Sequence, residues 1–281
     1  MRALIAAVAL LFAATPALAA DPPAGLVDDP CAGRAPVPPS ILAAAAARYD
    51  AKRREPPPAV PLEDLAAYRA IQAEGQKRDW PNLCMYRADN ARLTGQPAAA
   101  RQVVFMGDSI TYGWGLADTA FFGPGHVNRG ISGQTTPQML ARFQADVAAL
   151  KPRVVHIMAG TNDLAGNTGP TTAQDVRNNV VAMVTLARAA HAQVILASIP
   201  PAKSFNWAPT LKPTDQIREM NAWLKGYARE QGLVYADYYA VLATADGGMK
   251  PDLTFDGVHP NPAGYDVMKP VAEAALKRAL R

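Results

Sequence analysis

From Arg101 onward the chain alternates strictly between short apolar runs and longer amphipathic stretches, and few folds accommodate that pattern. The apolar runs are Val103 to Met106, His126 to Ile131, Val154 to Ala159, Val194 to Ile199 and Leu233 to Asp237, five in all. Each has the length and content of a buried strand. Between them, apolar residues recur at helical spacing: Met139, Phe143, Val147 and Leu150; Val176, Val180, Met183 and Ala187; Ile217, Met220, Leu224 and Tyr227. A last helix is expected from about Ala263, bent or restarted at Pro270. Strand and helix in strict alternation require parallel strands with crossover helices on both faces. The expected fold is therefore α/β, a three-layer α/β/α sandwich on a five-stranded parallel sheet. Such sheets place ligands at the carboxyl ends of their strands.

The first of those edges is Arg101 to Gly115, RQVVFMGDSITYGWG. Gly107 permits a sharp turn after the strand, and Asp108-Ser109 before Ile110 reads as a helix N-cap. Ser109 would then stand at a sheet edge and over the positive end of a helix. The alternative is that Ser109 only caps the helix. Three more loops fall at the same edge: Asn128-Arg129-Gly130-Ile131-Ser132-Gly133, Ala159-Gly160-Thr161-Asn162-Asp163, and Asp256-Gly257-Val258-His259-Pro260-Asn261. Singly, Gly130 could serve a tight turn, Asn162 a helix cap, and Asp256 with His259 a polar turn. Together they supply what acyl transfer needs. Ser109 is a nucleophile, His259 can take its proton, and Asp256 can hold the imidazole in the right tautomer. The Ser109 and Gly130 N–H groups and the Asn162 side chain can face a developing oxyanion.

The order Ser, Gly, Asn, Asp, His, carried by GDSIT, NRGISGQ, GTND and DGVHPN, resembles the SGNH family, also called GDSL esterases and lipases. The resemblance runs from about Val103 to the C-terminus. It implies a flavodoxin-like hydrolase fold, Ser109 as nucleophile, Gly130 and Asn162 completing the oxyanion hole, Asp256 and His259 as acid and base, and neither metal nor cofactor. The α/β-hydrolase alternative is weaker, because its GxSxG elbow is absent and Ser109 sits in GxSxT. The segment DWPNLCMYRADNA, Asp79 to Ala91, also resembles a lead-in of some secreted relatives and carries no site.

Residues 1–19 hold Arg2, an apolar run from Ala3 to Ala13, Thr15-Pro16 and the small-residue pattern Ala17-Leu18-Ala19. This reads as a cleaved signal peptide, and the break at Thr15-Pro16 argues against a membrane span. The product is expected to be secreted or periplasmic. In that setting Cys31 and Cys84, the only two cysteines, are expected to pair, which would stabilise the fold by roughly 4 kcal/mol; buried free thiols are the alternative. Residues 20–100 are rich in proline and carry two candidate helices, Ile41 to Arg54 and Leu62 to Lys77, so they read as an accessory extension of the 101–281 domain. Nothing in the extension looks catalytic. The net charge of +4 is spread beside acids, a solvated surface with no nucleic-acid partner expected. His156 reads as a core residue, His191 as a helix-end residue, and His126 as a strand-edge residue able to approach the site.

For substrate contacts the candidates are Asp108, Tyr112 and Trp114 beside the nucleophile, and Phe205 and Trp207 in the loop after the fourth strand. The aromatics could stack on sugar rings, line an acyl pocket, or simply pack. The expected function is a serine ester hydrolase, a monomer or weak oligomer, acting on short acyl esters or O-acetyl groups of carbohydrate. An O-acyltransferase, a lysophospholipase or thioesterase, and an inactive carbohydrate-binding module are the alternatives.

Overall fold

The computed structural model describes residues 25–53 and 55–281. The signal-peptide reading of residues 1–19 lies outside the described residues. The chain divides into two compact units, Met1–Gly33 and Arg34–Arg281. In the first, the Asp29 carboxylate accepts the Cys31 N–H at 2.9 Å and closes a local turn. Both cysteines are disulfide-bonded.

The second unit opens with three helices, α1 (Pro39–Tyr49), α2 (Leu62–Arg78) and α3 (Arg87–Thr94). The alternating part follows: β1 (Val103–Gly107), α4 (Ser109–Ala117), β2 (His126–Gly130), α5 (Thr136–Asp146), β3 (Val154–Met158), α6 (Thr161–Leu164) and α7 (Ala173–Ala189). It ends with β4 (Gln193–Ala197), α8 (Thr214–Glu230), β5 (Val234–Ala236), α9 (Tyr238–Leu242) and α10 (Pro262–Ala279). All five strands are parallel, in the order β2-β1-β3-β4-β5. The order reverses at β1, so the crevice between the ends of β1 and β3 is the place for a ligand.

Two apolar cores cover the sheet, as the period of a strand requires. Val104 and Met106 of β1 face one core with Met139 and Phe143 of α5, Val180 and Met183 of α7, and Leu224 of α8. Val103 and Phe105 face the other, with Ile110 and Trp114 of α4, Tyr238 of α9 and Met268 of α10. Truncating a buried aromatic such as Phe105 to alanine would cost about 3–5 kcal/mol.

One expectation about the elements needs correction. The last helix is not restarted at Pro270; it runs unbroken from Pro262 to Ala279. Pro270 is exposed, and so is Asp266, whose carbonyl loses its N–H partner there and can turn to water.

Candidate active site

The turn after β1 positions Ser109, the candidate nucleophile. Asp108 is the N-cap of α4, its carboxylate accepting the Ile110 N–H at 2.9 Å. That leaves Ser109, the first helical residue, with its hydroxyl free of the capping duty. Ser109 Oγ instead lies 3.0 Å from His259 Nε2, and His259 Nδ1 lies 2.9 Å from Asp256 Oδ2. Asp256 Oδ1 accepts the backbone N–H groups of Val258 at 3.1 Å and His259 at 2.8 Å, so the loop that carries the histidine also fixes its partner. Burial pushes the Asp256 carboxyl up, but the hydrogen bonds from the His259 ring and backbone and from Val258 outweigh it and hold the group well below the usual carboxylate range. The ionised acid holds Nδ1–H, which leaves Nε2 as an acceptor for the Ser109 proton.

The structure does not offer the Gly130 N–H to a ligand. It is donated to Asn128 Oδ1 at 2.8 Å, and Asn128 Nδ2 is itself donated to the Thr111 carbonyl at 2.6 Å. A Cβ at position 130 would meet the Tyr112 nitrogen at 2.2 Å, so glycine serves there for close approach of β2 to α4. Three residues on, Gly133 takes φ +79° and lines one cavity with Ser109, Asn162 and His259. Its N–H has no acceptor among the described residues, and the left-handed conformation suits glycine alone without strain. Asn162 follows β3 on α6, with its side-chain Oδ1 accepting from Asn167 Nδ2 at 2.9 Å. Asn162 Nδ2 donates to the Gln134 carbonyl at 3.0 Å and has only a long contact, 3.4 Å, with Asp108 Oδ2, so one of its hydrogens is loosely held.

Beneath these loops lies a buried charged brace. The fully buried Arg142 pairs with the equally buried Asp146 at 2.9 Å. It also donates to the carbonyls of Gly107 at 3.1 Å and Arg129 at 2.8 Å, and to Gln134 Oε1 at 2.5 Å. One guanidinium thus ties together the ends of β1 and β2 and the loop that holds Gly133. Removing it would strand Asp146, at a cost of about 3–5 kcal/mol.

Of the five substrate-contact candidates, three are elsewhere. Trp114 is fully buried between Phe121 and Tyr265, with ring centroids at 5.2 and 5.7 Å. It lies five residues beyond Ser109, about 140° around the helix, and therefore faces the core. Phe205 is also fully buried, in the other core. Asp108 is buried beneath the turn with its oxygens facing Ile110 and Asn162; burial pushes its carboxyl up to about 6, although the Ile110 N–H and His259 oppose the shift. Tyr112 and Trp207 do line the cavity of about 570 Å³ that holds Ser109 and His259. Trp207 is half-exposed, its ring centroid 5.9 Å from that of His259, and its Nε1 donates to Asn167 Oδ1 at 2.9 Å. His126 does not reach this cavity; its Nδ1 lies 2.8 Å from the Phe121 carbonyl.

The wall facing Trp207 comes from the N-terminal extension. Ile41, Ala44, Ala45 and Arg48 of α1 line the cavity, with Val60 of the following segment. Arg48 approaches Asp256 Oδ2 at 3.4 Å and lies 4.5 Å above the Phe255 ring. Further along, Tyr86 donates its hydroxyl to the Gly130 carbonyl at 2.5 Å, and the Pro81 carbonyl accepts Gln134 Nε2 at 2.7 Å. The segment Asp79 to Ala91, expected to carry no site, buttresses the loop beside the serine.

Comparison of the chain with known proteins shows its family. Residues 105–267 match the model of the GDSL-like Lipase/Acylhydrolase family, more than half of the chain. The chain belongs to that family. Esterase TesA of Pseudomonas aeruginosa is 32% identical over 187 residues, covering 60% of this chain and 84% of that protein. A GDSL-like lipase of known structure from Bacteroides thetaiotaomicron is 38% identical, with a TM-score of 0.69 over 72% of this chain and 100% of the other. A candidate acylhydrolase from Bacteroides fragilis is 42% identical, with a TM-score of 0.69 over 72% and 99%. An acetylxylan esterase from Geobacillus stearothermophilus, 21% identical with a TM-score of 0.50 over 63% and 94%, shares the fold. The GDSL-like chain described here is thus a carboxylic ester hydrolase.

Within the family domain, the sequence reading named Gly130 and passed over Gly133, the glycine whose N–H is left open beside Ser109. Its signal is the small Ser132-Gly133 pair just past the strand, where a chain must turn away and expose its amides. Arg48 left no signal at all, because an exposed arginine on an alanine-rich helix has no motif around it.

Proposed function

We propose that this GDSL-like hydrolase is an exported serine esterase that removes small acyl groups from carbohydrate hydroxyls through an acyl-enzyme on Ser109. The observation that carries the reading is the relay of Ser109 Oγ, His259 and Asp256 at 3.0 and 2.9 Å, opening into one cavity with Gly133 and Asn162. In the first step Ser109 Oγ attacks the ester carbonyl while His259 Nε2 takes its proton. The tetrahedral oxyanion accepts from Ser109 N–H, Gly133 N–H and the loosely held hydrogen of Asn162 Nδ2. His259 then returns the proton to the leaving alcohol, and the acyl group stays on Ser109. Water, deprotonated by the same imidazole, releases the acid.

Support for a sugar alcohol comes from where the leaving group must lie. It has to reach His259 Nε2, and the aromatic face on that side is Trp207, exposed and held in place by Asn167. An aromatic plane beside polar side chains suits a pyranose, which presents C–H groups on its faces and hydroxyls at its edge. Export is supported by the apolar leader in the sequence and by the disulfide. The test compares p-nitrophenyl acetate with acetylated oligosaccharide on wild type, Ser109→Ala and Trp207→Ala. Ser109→Ala should lose both activities. Trp207→Ala should raise KM for the oligosaccharide by about tenfold, with little change for the aryl ester. Equal effects on both substrates would remove the sugar from the proposal.

A further inference from the structure

A second cavity, about 510 Å³, lies further along α4 from the catalytic cleft, with Tyr112, Gly115 and Leu116 of that helix in its lining. Leu93, Ala100, Leu116, Phe122 and Val127 supply its apolar lining. Among the described residues, Tyr112 alone lines both this cavity and the cleft. It sits one helical turn beyond Ser109, and its hydroxyl has no hydrogen-bond partner among the described residues, so the ring is held by packing.

The geometry of a tetrahedral centre says what meets Tyr112. With its carbon bonded to Ser109 Oγ, the oxyanion points to Gly133 and Asn162, and the leaving oxygen points to His259. The fourth substituent is the acyl chain, and the remaining wall is Tyr112 with Ile41, Ala44, Ala45 and Val60. Apart from Arg48, which turns to Asp256 and the Phe255 ring, that wall is apolar, as an acyl chain requires. The charged groups around the second cavity are already engaged and ask little of an occupant. Arg129 donates to Asp89, Asn90 and the Asn128 carbonyl, Arg92 to Asp89, and His126 is joined to the Phe121 carbonyl.

We propose that Tyr112 is the acyl-length gate of this enzyme: its ring closes the acyl side of the cleft, and the cavity behind it is an acyl annex for longer chains once the ring is gone. The inference rests on Ser109 being the acylated residue. With Tyr112 in place the route from the cleft into the annex is closed, which makes the wild type favour short acyl groups. The ring, not the hydroxyl, forms the partition.

The test measures kcat/KM for p-nitrophenyl acetate, butyrate, octanoate and dodecanoate. The proteins are wild type, Tyr112→Phe, Tyr112→Ala, Tyr112→Leu and the double variant Tyr112→Ala with Leu116→Trp. Tyr112→Ala should raise the octanoate-to-acetate ratio by at least about tenfold, and Tyr112→Phe should leave it near the wild-type value. Leu116→Trp, which fills the annex, should return the double variant toward wild type. Fluorophosphonate labelling at Ser109 reports an intact site in each protein, and Tyr112→Leu carries the test if Tyr112→Ala loses labelling. An unchanged ratio in labelled variants, or a raised ratio that survives Leu116→Trp, overturns the gate while the serine mechanism stands. Absence of labelling at Ser109 in wild type would instead overturn the mechanism on which the gate depends.

Discussion

Asp256 Oδ2 faces the His259 ring at 2.9 Å and the Arg48 guanidinium at 3.4 Å, one partner from its own loop and one from α1. The two have opposite consequences for a histidine base, which works only when neutral. The carboxylate favours the imidazolium, and the nearby arginine disfavours it. Asp256→Asn should therefore move the acid limb of the pH–rate profile to lower pH while leaving measurable turnover, since an amide oxygen can still accept Nδ1–H. Arg48→Ala should move the limb slightly to higher pH, with a small effect because the arginine is half-exposed. Profiles of wild type and both variants on one soluble ester check this. Shifts in the same direction would mean that charge at Asp256 does not govern the base. At this scale the sequence was legible where chemistry demands a residue type at a fixed spacing, as in Asp256 three residues before His259. It was not legible for Arg48, brought 208 residues along the chain by the packing of α1.

At the scale of elements, the five strands and their parallel order follow from alternation and apolar content, because a strand buried on both faces leaves an unmistakable run. Side-chain direction was harder to read. Trp114 and Phe205 are aromatics next to site motifs, yet both point into the cores, where a large ring removes most area from water. Helical angle would have separated Tyr112 from Trp114, since three residues bring a side chain back near Ser109 and five do not. Loop amides were hardest. Gly130 ends β2 and Gly133 follows three residues later, and only the bond from Gly130 N–H to Asn128 tells which amide is spent. The extension illustrates a related limit. Alanine-rich α1 carries little chemistry in its residues, and it contributes to the site by forming the wall across from Trp207.

For the whole molecule, two buried groups set opposing pH dependences of stability. His156 on β3 is neutral in the core beside the Tyr238 hydroxyl at 2.9 Å, and burial lowers its pKa from 6.5 to about 3. The unfolded chain binds that proton first as pH falls, so the contribution of His156 is lost from near pH 6.5 downward. Asp108, raised to about 6, takes its proton first in the folded state, so it works the other way as pH falls from there to the ordinary carboxyl range. Melting temperature against pH should be flatter on the acid side for His156→Gln than for wild type, and steeper for Asp108→Asn. A wild-type curve unchanged by His156→Gln would show that the core histidine does not carry the acid sensitivity. Above these sits the claim that the whole fold presents one nucleophile at the ends of β1 and β3. It is tested most directly by labelling the intact protein with a fluorophosphonate and mapping the adduct by peptide mass spectrometry. A single adduct on Ser109 is expected, absent from Ser109→Ala and retained in Ser132→Ala. An adduct on Ser132, or labelling that persists in Ser109→Ala, would contradict it.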